Sequence, residues 1–113
     1  MTNLQERLAG GELIPAILQD ATSGRVLMLA FMNQEAFSLT IQTGNCHFWS
    51  RSRNEIWLKG STSGNLMHVK GIEVDCDSDS FLIQVSPEGP ACHTGLVSCF
   101  DTQSVTFTES GIS

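Results

Sequence analysis

The stretch LMHVKGIEVDCDSDSFLIQV, residues 66–85, contains two strand-like runs separated by an acidic segment. Residues 66–74 predict a long β-strand, and the apolar residues 81–85 predict a strand that turns back from it. The acidic segment, residues 75–79, therefore lies between paired strands or at their ends. This hairpin decides where the polar side chains of the segment are presented.

The acidic segment interleaves two kinds of metal ligand. Side chains alternate between faces along a strand, so Asp75, Asp77 and Asp79 are expected on one face and Cys76 on the other. Carboxylate oxygens suit Mg²⁺, Mn²⁺ or Ca²⁺, whereas a thiolate suits Zn²⁺. One short segment can therefore serve two metals, although a D-x-D-x-D run is also common in solvated turns.

Three cysteines beyond position 70 make a candidate zinc site. Cys76, Cys92 and Cys99 offer three thiolates, a set that leaves the fourth tetrahedral position of zinc open to water, as in catalytic sites. The alternative is that these cysteines are small buried hydrophobic residues, because no C-x-x-C pair marks a structural zinc site. Spacing alone leaves both alternatives open.

The composition limits the class of protein. The chain has 113 residues and is 41% hydrophobic, which fits a single domain, residues 1–113, with a small core that oligomerisation would enlarge. The net charge of -6 argues against a nucleic-acid-binding surface. Arg51, Arg53 and Lys59 nevertheless fall in one short stretch and indicate a local phosphate pocket. With no export signal and no run of transmembrane length, a cytoplasmic protein with no membrane contact and with free or metal-bound thiols is expected.

Hydrophobic periodicity and turn residues divide the remaining chain into short elements. Helices are predicted over residues 3–9 and between Asn33, a good N-cap, and Gly44. Pro15 places the first strand at a sheet edge. Strands are predicted over residues 13–19, 25–31, 46–50, 56–59 and 103–108, and residues 109–113 are expected to fray. Strands outnumber helices, so the fold class is β-rich α+β.

The loop GSTSGN, residues 60–65, is rich in hydroxyl groups and unhindered backbone N–H groups. Such a loop can wrap an anion. An ordinary flexible turn has the same composition, because Gly and Ser favour turns for conformational reasons.

Several blocks of the sequence resemble one known family. They run in the family's order and at its spacing from about residue 13 to residue 100. The blocks are VLMLAFMN at 26–33, FWSRSR at 48–53, WLKGSTSG at 57–64, DCDSD at 75–79, GPACHTG at 89–95 and SCF at 98–100. Each block alone is weak, but together they are similar to the phosphoribosyl-AMP cyclohydrolases of histidine biosynthesis.

This resemblance implies an activity, a fold and a set of metals. The activity is hydrolytic opening of the adenine ring of 1-(5-phosphoribosyl)-AMP at the N1–C6 bond by zinc-activated water, which gives the formimino-imidazolecarboxamide ribonucleotide. The fold is a small mixed sheet or barrel-like domain with one or two short helices, in an intertwined homodimer. The implied ligands are Cys92 and Cys99 of one subunit with Cys76 of the other for Zn²⁺, and Asp75, Asp77 and Asp79 for Mg²⁺.

Further roles follow from residue chemistry together with the resemblance. His93 is the candidate for proton transfer, because histidine titrates near neutral pH; a fourth zinc ligand, or a residue that supports a ligand, is the alternative. Arg51 and Arg53 would share one face of a strand and are assigned to the phosphates or ribose of the substrate, with two solvated arginines as the alternative. The backbone-donor site of the loop is assigned to Thr62, Ser63 and Gly64.

The chain departs from the resembled family at two positions. Many relatives have Glu where Ser61 stands, and Gln is frequent where Met67 stands, so a role of that Glu is vacant or transferred here. Some relatives continue into a phosphoribosyl-ATP pyrophosphatase domain, whereas this chain ends at Ser113 and is expected to be the cyclohydrolase alone. The rival interpretation is a zinc-stabilised binding or regulatory module without catalysis. A nucleotide deaminase is disfavoured because the H-x-E and P-C-x-x-C signature is absent.

Overall fold

The computed structural model describes residues 2–108, so the residues expected to fray, 109–113, lie outside the described part. Within that part the chain forms two helices and six strands. In chain order they are α1 (Thr2–Ala9), β1 (Ile14–Asp20), β2 (Val26–Met32), α2 (Gln34–Thr43), β3 (His47–Ser50), β4 (Glu55–Leu58), β5 (Met67–Val74) and β6 (Phe81–Pro87). All of them were predicted to within two residues at each end.

The strands form one four-stranded sheet and a separate two-stranded hairpin of β3 and β4. The sheet has the order β2-β1-β6-β5. The β1–β2 and β5–β6 pairs are antiparallel, and the β1–β6 pair is parallel. The predicted β-rich α+β class with a mixed sheet is confirmed. The barrel-like closure is wrong, because β2 and β5 remain at opposite edges and no strand of residues 2–108 joins them.

The predicted edge position of β1 is also wrong, since β1 lies between β2 and β6. Proline has no N–H to donate to a ladder and is tolerated only where none is needed. Pro15 pairs with Phe31 of β2, whereas the parallel ladder with β6 begins one residue later, with Ala16 opposite Phe81. The missing donor therefore falls before the β6 ladder starts.

One face of the sheet carries the core. Alternate residues of the two central strands are buried, as the period of a strand requires. The buried set is Ile14, Ala16, Leu18, Phe81, Ile83 and Val85. Helix α2 covers this face, and the Phe37 ring stacks on the Phe81 ring with centroids 4.9 Å apart. Each large side chain buried here contributes about 1.5–3 kcal/mol to folding.

Helix α2 begins and ends at the predicted residues. The Asn33 side-chain oxygen accepts a hydrogen bond from the Ala36 N–H at 2.9 Å, which caps the amino terminus. Gly44 ends the helix in the left-handed conformation, with φ of 75°. Neither helix of residues 2–108 has the length and apolar character needed to cross a membrane.

The predicted last strand, residues 103–108, is wrong. Val105 and Phe107 alternate with polar residues as a strand pattern should, yet they are 93% and 72% exposed. An alternating pattern becomes a strand only beside a neighbour that supplies hydrogen bonds, and no strand of residues 2–108 pairs with this segment.

Candidate active site

A cleft of about 340 Å³ opens between the loop that follows β4 and the cysteine-bearing segment that follows β6. Its volume lies in the range of small-molecule sites, about 300–1,000 Å³. The lining residues are Arg53, Trp57, Lys59, Gly60, Ser61, Thr62, Ser63, Asn65, Pro90, Ala91, Cys92, His93 and Gly95. The cleft thus collects a thiol, an imidazole, two cationic side chains and several hydroxyl groups.

The loop of residues 60–65 forms one wall because its two glycines turn the chain tightly. Gly60 and Gly64 have positive φ angles of 91° and 81°, and the Gly64 N–H donates to the Gly60 carbonyl at 2.8 Å. A Cβ at Gly60 would lie 2.5 Å from the Asn65 backbone. The Asn65 amide donates to the Pro90 carbonyl at 3.3 Å, so the loop is tied to the opposite wall.

We expect Gly60→Ala to destabilise the protein by about 2–4 kcal/mol for two reasons. An alanine is strained at the positive φ of this position, and its Cβ would overlap the Asn65 backbone. Gly64→Ala is the matched control: it has the same sign of φ but nothing within 4 Å of a new Cβ. Its expected cost is about 1–2 kcal/mol from conformation alone. Urea unfolding of both variants measures the difference, and equal losses would show that the close approach at Gly60 does not matter.

The second wall, residues 91–99, is a tight turn fastened to β2. Inside the turn the Cys92 N–H donates to the Leu96 carbonyl at 3.2 Å. Ser98 is fully buried, and its hydroxyl donates to a β2 carbonyl at 2.7 Å. The Cys99 N–H donates to another β2 carbonyl, also at 2.7 Å. The two cysteines are therefore held on a fixed frame.

The thiols of Cys92 and Cys99 are neighbours that differ in acidity. The Thr94 hydroxyl donates to the Cys92 sulfur at 3.0 Å, and this bond is the largest cause that lowers the pKa of Cys92. Burial raises the pKa of Cys99, and the nearby Cys92 raises it further. Because the thiolate is the form that binds soft metals, Cys92 is the better suited of the two thiols to hold such a metal.

Lys59, one of the three basic residues that predicted a phosphate pocket, lines the cleft. Its ammonium group donates to the Ala91 carbonyl at 2.5 Å and lies 5.7 Å from the Trp57 ring centroid. Its charge also acts to lower the pKa of both Cys92 and Cys99. The basic stretch at residues 51–59 is the sequence signal that indicated it. The contact with Ala91, 32 positions away, is visible only in the fold.

The acidic segment is a turn rather than a strand, so its predicted alternation of faces is wrong. The Asp77 N–H donates to the Asp75 carboxylate at 2.6 Å, and Ser78 has a positive φ of 60°. The turn gathers the ligand atoms of Asp75, Cys76 and Asp77 within 4.8 Å of one another. Asp79 also lies beside Asp75, and their hydrogen bond raises the pKa of Asp79. Carboxylates and a thiol thus share one exposed site.

Cys76 does not join Cys92 and Cys99 within one chain. In residues 2–108, the acidic turn is the one place where three metal-ligating side chains meet, and none of its residues lines the cleft. Cys99 is fastened to β2, whereas Cys76 follows β5, and these strands are the opposite edges of the sheet. The three-thiolate set would therefore need a second chain.

The two predicted arginines lie in different hollows, so their expected common face is wrong. Strand β3 ends at Ser50, and residues 51–54 form a turn that separates the two side chains. Arg53 lines the cleft. Arg51 lies over the Phe31 ring, 4.1 Å from its centroid, in a wider hollow of about 560 Å³.

The remaining predicted site residues lie at the cleft or in its frame. Together with Arg53, the predicted residues that line the cleft are Thr62, Ser63, Cys92 and His93. Gly64 does not line the cleft but closes the loop. Ser61 and Met67 are the two positions at which the chain departs from the resembled family. Ser61 lines the cleft, and Met67 is fully buried in the core. Position 61 therefore belongs to the cleft, whereas position 67 belongs to the core.

Fold and site together define a small β-rich α+β protein whose cleft combines a thiol and an imidazole with anion-binding groups. Residues 28–101 match the family model described as phosphoribosyl-AMP cyclohydrolase. The chain is 58% identical to the phosphoribosyl-AMP cyclohydrolase of Clostridium botulinum (strain 657 / Type Ba4), and the alignment covers 88% of this chain and 96% of that protein. The chain belongs to the phosphoribosyl-AMP cyclohydrolase family, as its sequence blocks predicted.

Other relatives agree with this membership. The chain is 55% identical to the phosphoribosyl-AMP cyclohydrolase of Lacticaseibacillus casei (strain BL23), with 88% of this chain and 90% of the relative covered. It is 52% identical to a histidine biosynthesis bifunctional protein of Photobacterium profundum, of which it covers 43%, over 79% of this chain.

Proposed function

We propose that the chain catalyses the cyclohydrolase step of histidine biosynthesis, the hydrolytic opening of the adenine ring of 1-(5-phosphoribosyl)-AMP. One observation carries the proposal beyond family membership. A single cleft places Cys92 and His93 opposite a wall that contains Arg53, Lys59 and the loop of residues 60–63. This arrangement can hold a phosphorylated nucleotide with its reacting ring near an imidazole and a thiol.

The cationic wall supports binding of a substrate that carries two phosphates. Arg53 offers a planar fork that can bond two phosphate oxygens, and Lys59 offers a point charge. The backbone N–H groups and hydroxyls of the loop add neutral donors. The protein as a whole has a net charge of -6, so these groups form a local cationic site on an acidic molecule.

The reaction requires two proton movements. Water adds to C6 of the purine, the N1–C6 bond breaks, and the water oxygen becomes the carboxamide oxygen. A proton must leave the water and another must reach the ring nitrogen. His93 lines the cleft next to Cys92, and imidazole can accept and donate a proton near neutral pH. We assign the proton transfer to His93.

The donor atoms fit the two metals that the resemblance implied. The Cys92 thiol, whose pKa is lowered, and the neighbouring Cys99 thiol suit Zn²⁺. The proposed third thiolate is Cys76 of the partner subunit in a homodimer. Zn²⁺ bound there would supply a water of lowered pKa near C6. The carboxylates of Asp75 and Asp77, with Asp79 beside them, suit Mg²⁺.

The proposal is tested by a spectrophotometric assay of the zinc-loaded protein on phosphoribosyl-AMP, with and without Mg²⁺ and a chelator. Turnover that needs metal is the expected result. A folded protein that binds zinc and does not turn over this substrate would contradict it and favour the non-catalytic zinc module.

Asp77→Asn is expected to leave zinc bound and to raise the Mg²⁺ concentration for half-maximal activity by about 10–100-fold, the loss typical of disturbing a metal's surroundings. The amide keeps the size of the side chain but removes a charged ligand. Glu6→Gln, which removes the same charge from an exposed position of helix α1, is the matched control and should keep the wild-type response. An unchanged Mg²⁺ response in Asp77→Asn would show that the acidic turn is only a surface feature.

A further inference from the structure

Thr94 belongs to the cysteine-bearing wall but does not line the cleft, although its neighbours on both sides, His93 and Gly95, do. The residue is exposed, so it is not part of the hydrophobic core. Its hydroxyl donates to the Cys92 sulfur at 3.0 Å, which is a short distance for an atom as large as sulfur. Thr94 can therefore act on a molecule in the cleft only through the residue that it contacts, Cys92.

A tight turn holds the hydroxyl in this position. The Gly95 N–H donates to the Cys92 carbonyl at 2.9 Å and closes the turn around Thr94. Gly95 has a positive φ of 93°, which glycine adopts without strain. Threonine is branched at Cβ, so its χ1 angle is already restricted and ordering the hydroxyl costs little entropy. The donor is therefore preorganised toward the sulfur.

This hydrogen bond is of a kind that a metal ligand keeps. A threonine hydroxyl always carries a proton that it can donate. A sulfur that binds a metal as a thiolate still has lone pairs that accept hydrogen bonds, and a bond to an ionised acceptor is stronger than a neutral one. The bond from Thr94 to Cys92 is therefore expected to persist, and to become stronger, when Cys92 binds a metal.

A set of three thiolates gives such a donor a chemical purpose. Thiolates donate more charge to a metal than imidazoles do, and this donation weakens zinc as a Lewis acid. A hydrogen bond to a thiolate sulfur withdraws part of that charge, so the metal stays more positive. Groups that contact metal ligands tune metals in this way, and their loss typically costs about 10–100-fold in metal affinity or activity. Thr94 offers this compensation at Cys92.

We propose that Thr94 is a positioning residue of the metal site, whose hydroxyl holds the Cys92 sulfur and lowers the charge that this sulfur donates to the metal. The inference rests on the proposed function, because that proposal assigns zinc to Cys92. Since Thr94 does not line the cleft, it acts on the rate of the reaction and not on substrate binding. Nothing in this role requires Thr94 to touch the substrate.

Two substitutions at Thr94 separate the hydroxyl from the shape of the side chain. Thr94→Val replaces the hydroxyl by a methyl group of similar size, whereas Thr94→Ser keeps the hydroxyl. In zinc-loaded protein, kcat of Thr94→Val is expected to fall by about 10–100-fold with KM nearly unaltered, and Thr94→Ser should restore most of the rate. Thr22→Val, the same change at an exposed threonine between β1 and β2, is the matched control and should keep the wild-type rate.

Cobalt spectra give a measurement that does not depend on turnover. Co²⁺ in place of Zn²⁺ has an absorption band in which charge moves from a thiolate sulfur to the metal. Without the hydrogen bond the sulfur electrons lie higher in energy, so the band of Thr94→Val should move to longer wavelength. The bands of Thr94→Ser and Thr22→Val should stay at the wild-type position.

The outcomes distinguish the role of Thr94 from the proposed function. An unchanged cobalt band in Thr94→Val, or equal changes in Thr94→Val and Thr94→Ser, would overturn the role of the hydroxyl. The expected band shifts in a protein that does not turn over phosphoribosyl-AMP would support the action of Thr94 on the metal and overturn the proposed function instead. A wild type that binds neither Zn²⁺ nor Co²⁺ would overturn both.

Discussion

Cys92→Ser is expected to remove zinc and turnover together. Even residues that only support a metal ligand are worth about 10–100-fold in metal affinity, so loss of a ligand should weaken zinc binding by more than about 100-fold. A serine hydroxyl keeps the shape of the side chain but is not ionised near neutral pH and is a poor ligand for a soft metal. Metal analysis of the purified protein and the cyclohydrolase assay measure the two losses.

The acidity of the two neighbouring thiols adds a pH dependence to this prediction. The pKa of Cys92 is lowered and that of Cys99 is raised. As the pH falls, protons therefore compete with zinc first at Cys99, and Cys92 holds its thiolate to lower pH. Zinc affinity in the wild type should fall with acidification, because both ligands bind as thiolates.

Cys46→Ala is the matched control for the loss of a thiol. Cys46 is fully buried in the core, and burial raises the pKa of its thiol to about 12, so it is an unsuitable zinc ligand. This variant should lose some stability and keep its zinc. A Cys92→Ser protein that is free of zinc and fully active would end the catalytic-zinc hypothesis.

Mixing two inactive variants tests whether Cys76 and Cys92 of different subunits form one zinc site. Cys76→Ser and Cys92→Ser dimers that exchange subunits should recover about a quarter of wild-type activity, because half of the dimers are mixed and each holds one intact site. If both cysteines served the same chain's site, mixing would recover nothing.

The sequence predicted the bounds of the helices and strands well, but it did not predict which strands lie side by side in the sheet. Alternating burial in β1 and the caps at Asn33 and Gly44 are local properties, so they could be predicted. The position of β1 could not, because Pro15 indicates an edge and only the parallel pairing with β6, far along the chain, makes the strand central. Such long-range pairing leaves no local signal.

The candidate site divides in the same way. Arg53 and His93 lie in one cleft, and their roles in phosphate binding and proton transfer stay predictions. The separation of Arg51 from Arg53 was missed, since β3 ends at Ser50 and a turn replaces the expected strand. The positive φ of Ser78 similarly folds the acidic run into a turn. In both places the alternation of side chains in a strand was applied to residues beyond the end of the strand, so the expected faces were wrong.

His93→Ala is expected to lower turnover by about 10²–10⁴-fold, the usual contribution of general acid–base catalysis, with zinc retained. The imidazole lines the cleft and is not needed to hold the frame, which rests on Ser98 and the Cys92 turn. A group that acts only in the transition state should change kcat and leave KM nearly unaltered. Steady-state kinetics together with zinc analysis measure all three quantities.

His68→Ala is the control, because His68 is a partly exposed imidazole that contacts Glu88 and does not line the cleft. It should keep the wild-type rate. If His93 instead supported zinc, His93→Ala would lose metal, and added zinc would restore the rate. If His93 transfers the proton, added zinc restores nothing, and the limb of the kcat/KM profile that reports the imidazole disappears. A near-normal rate with zinc bound would remove His93 from the proton transfer.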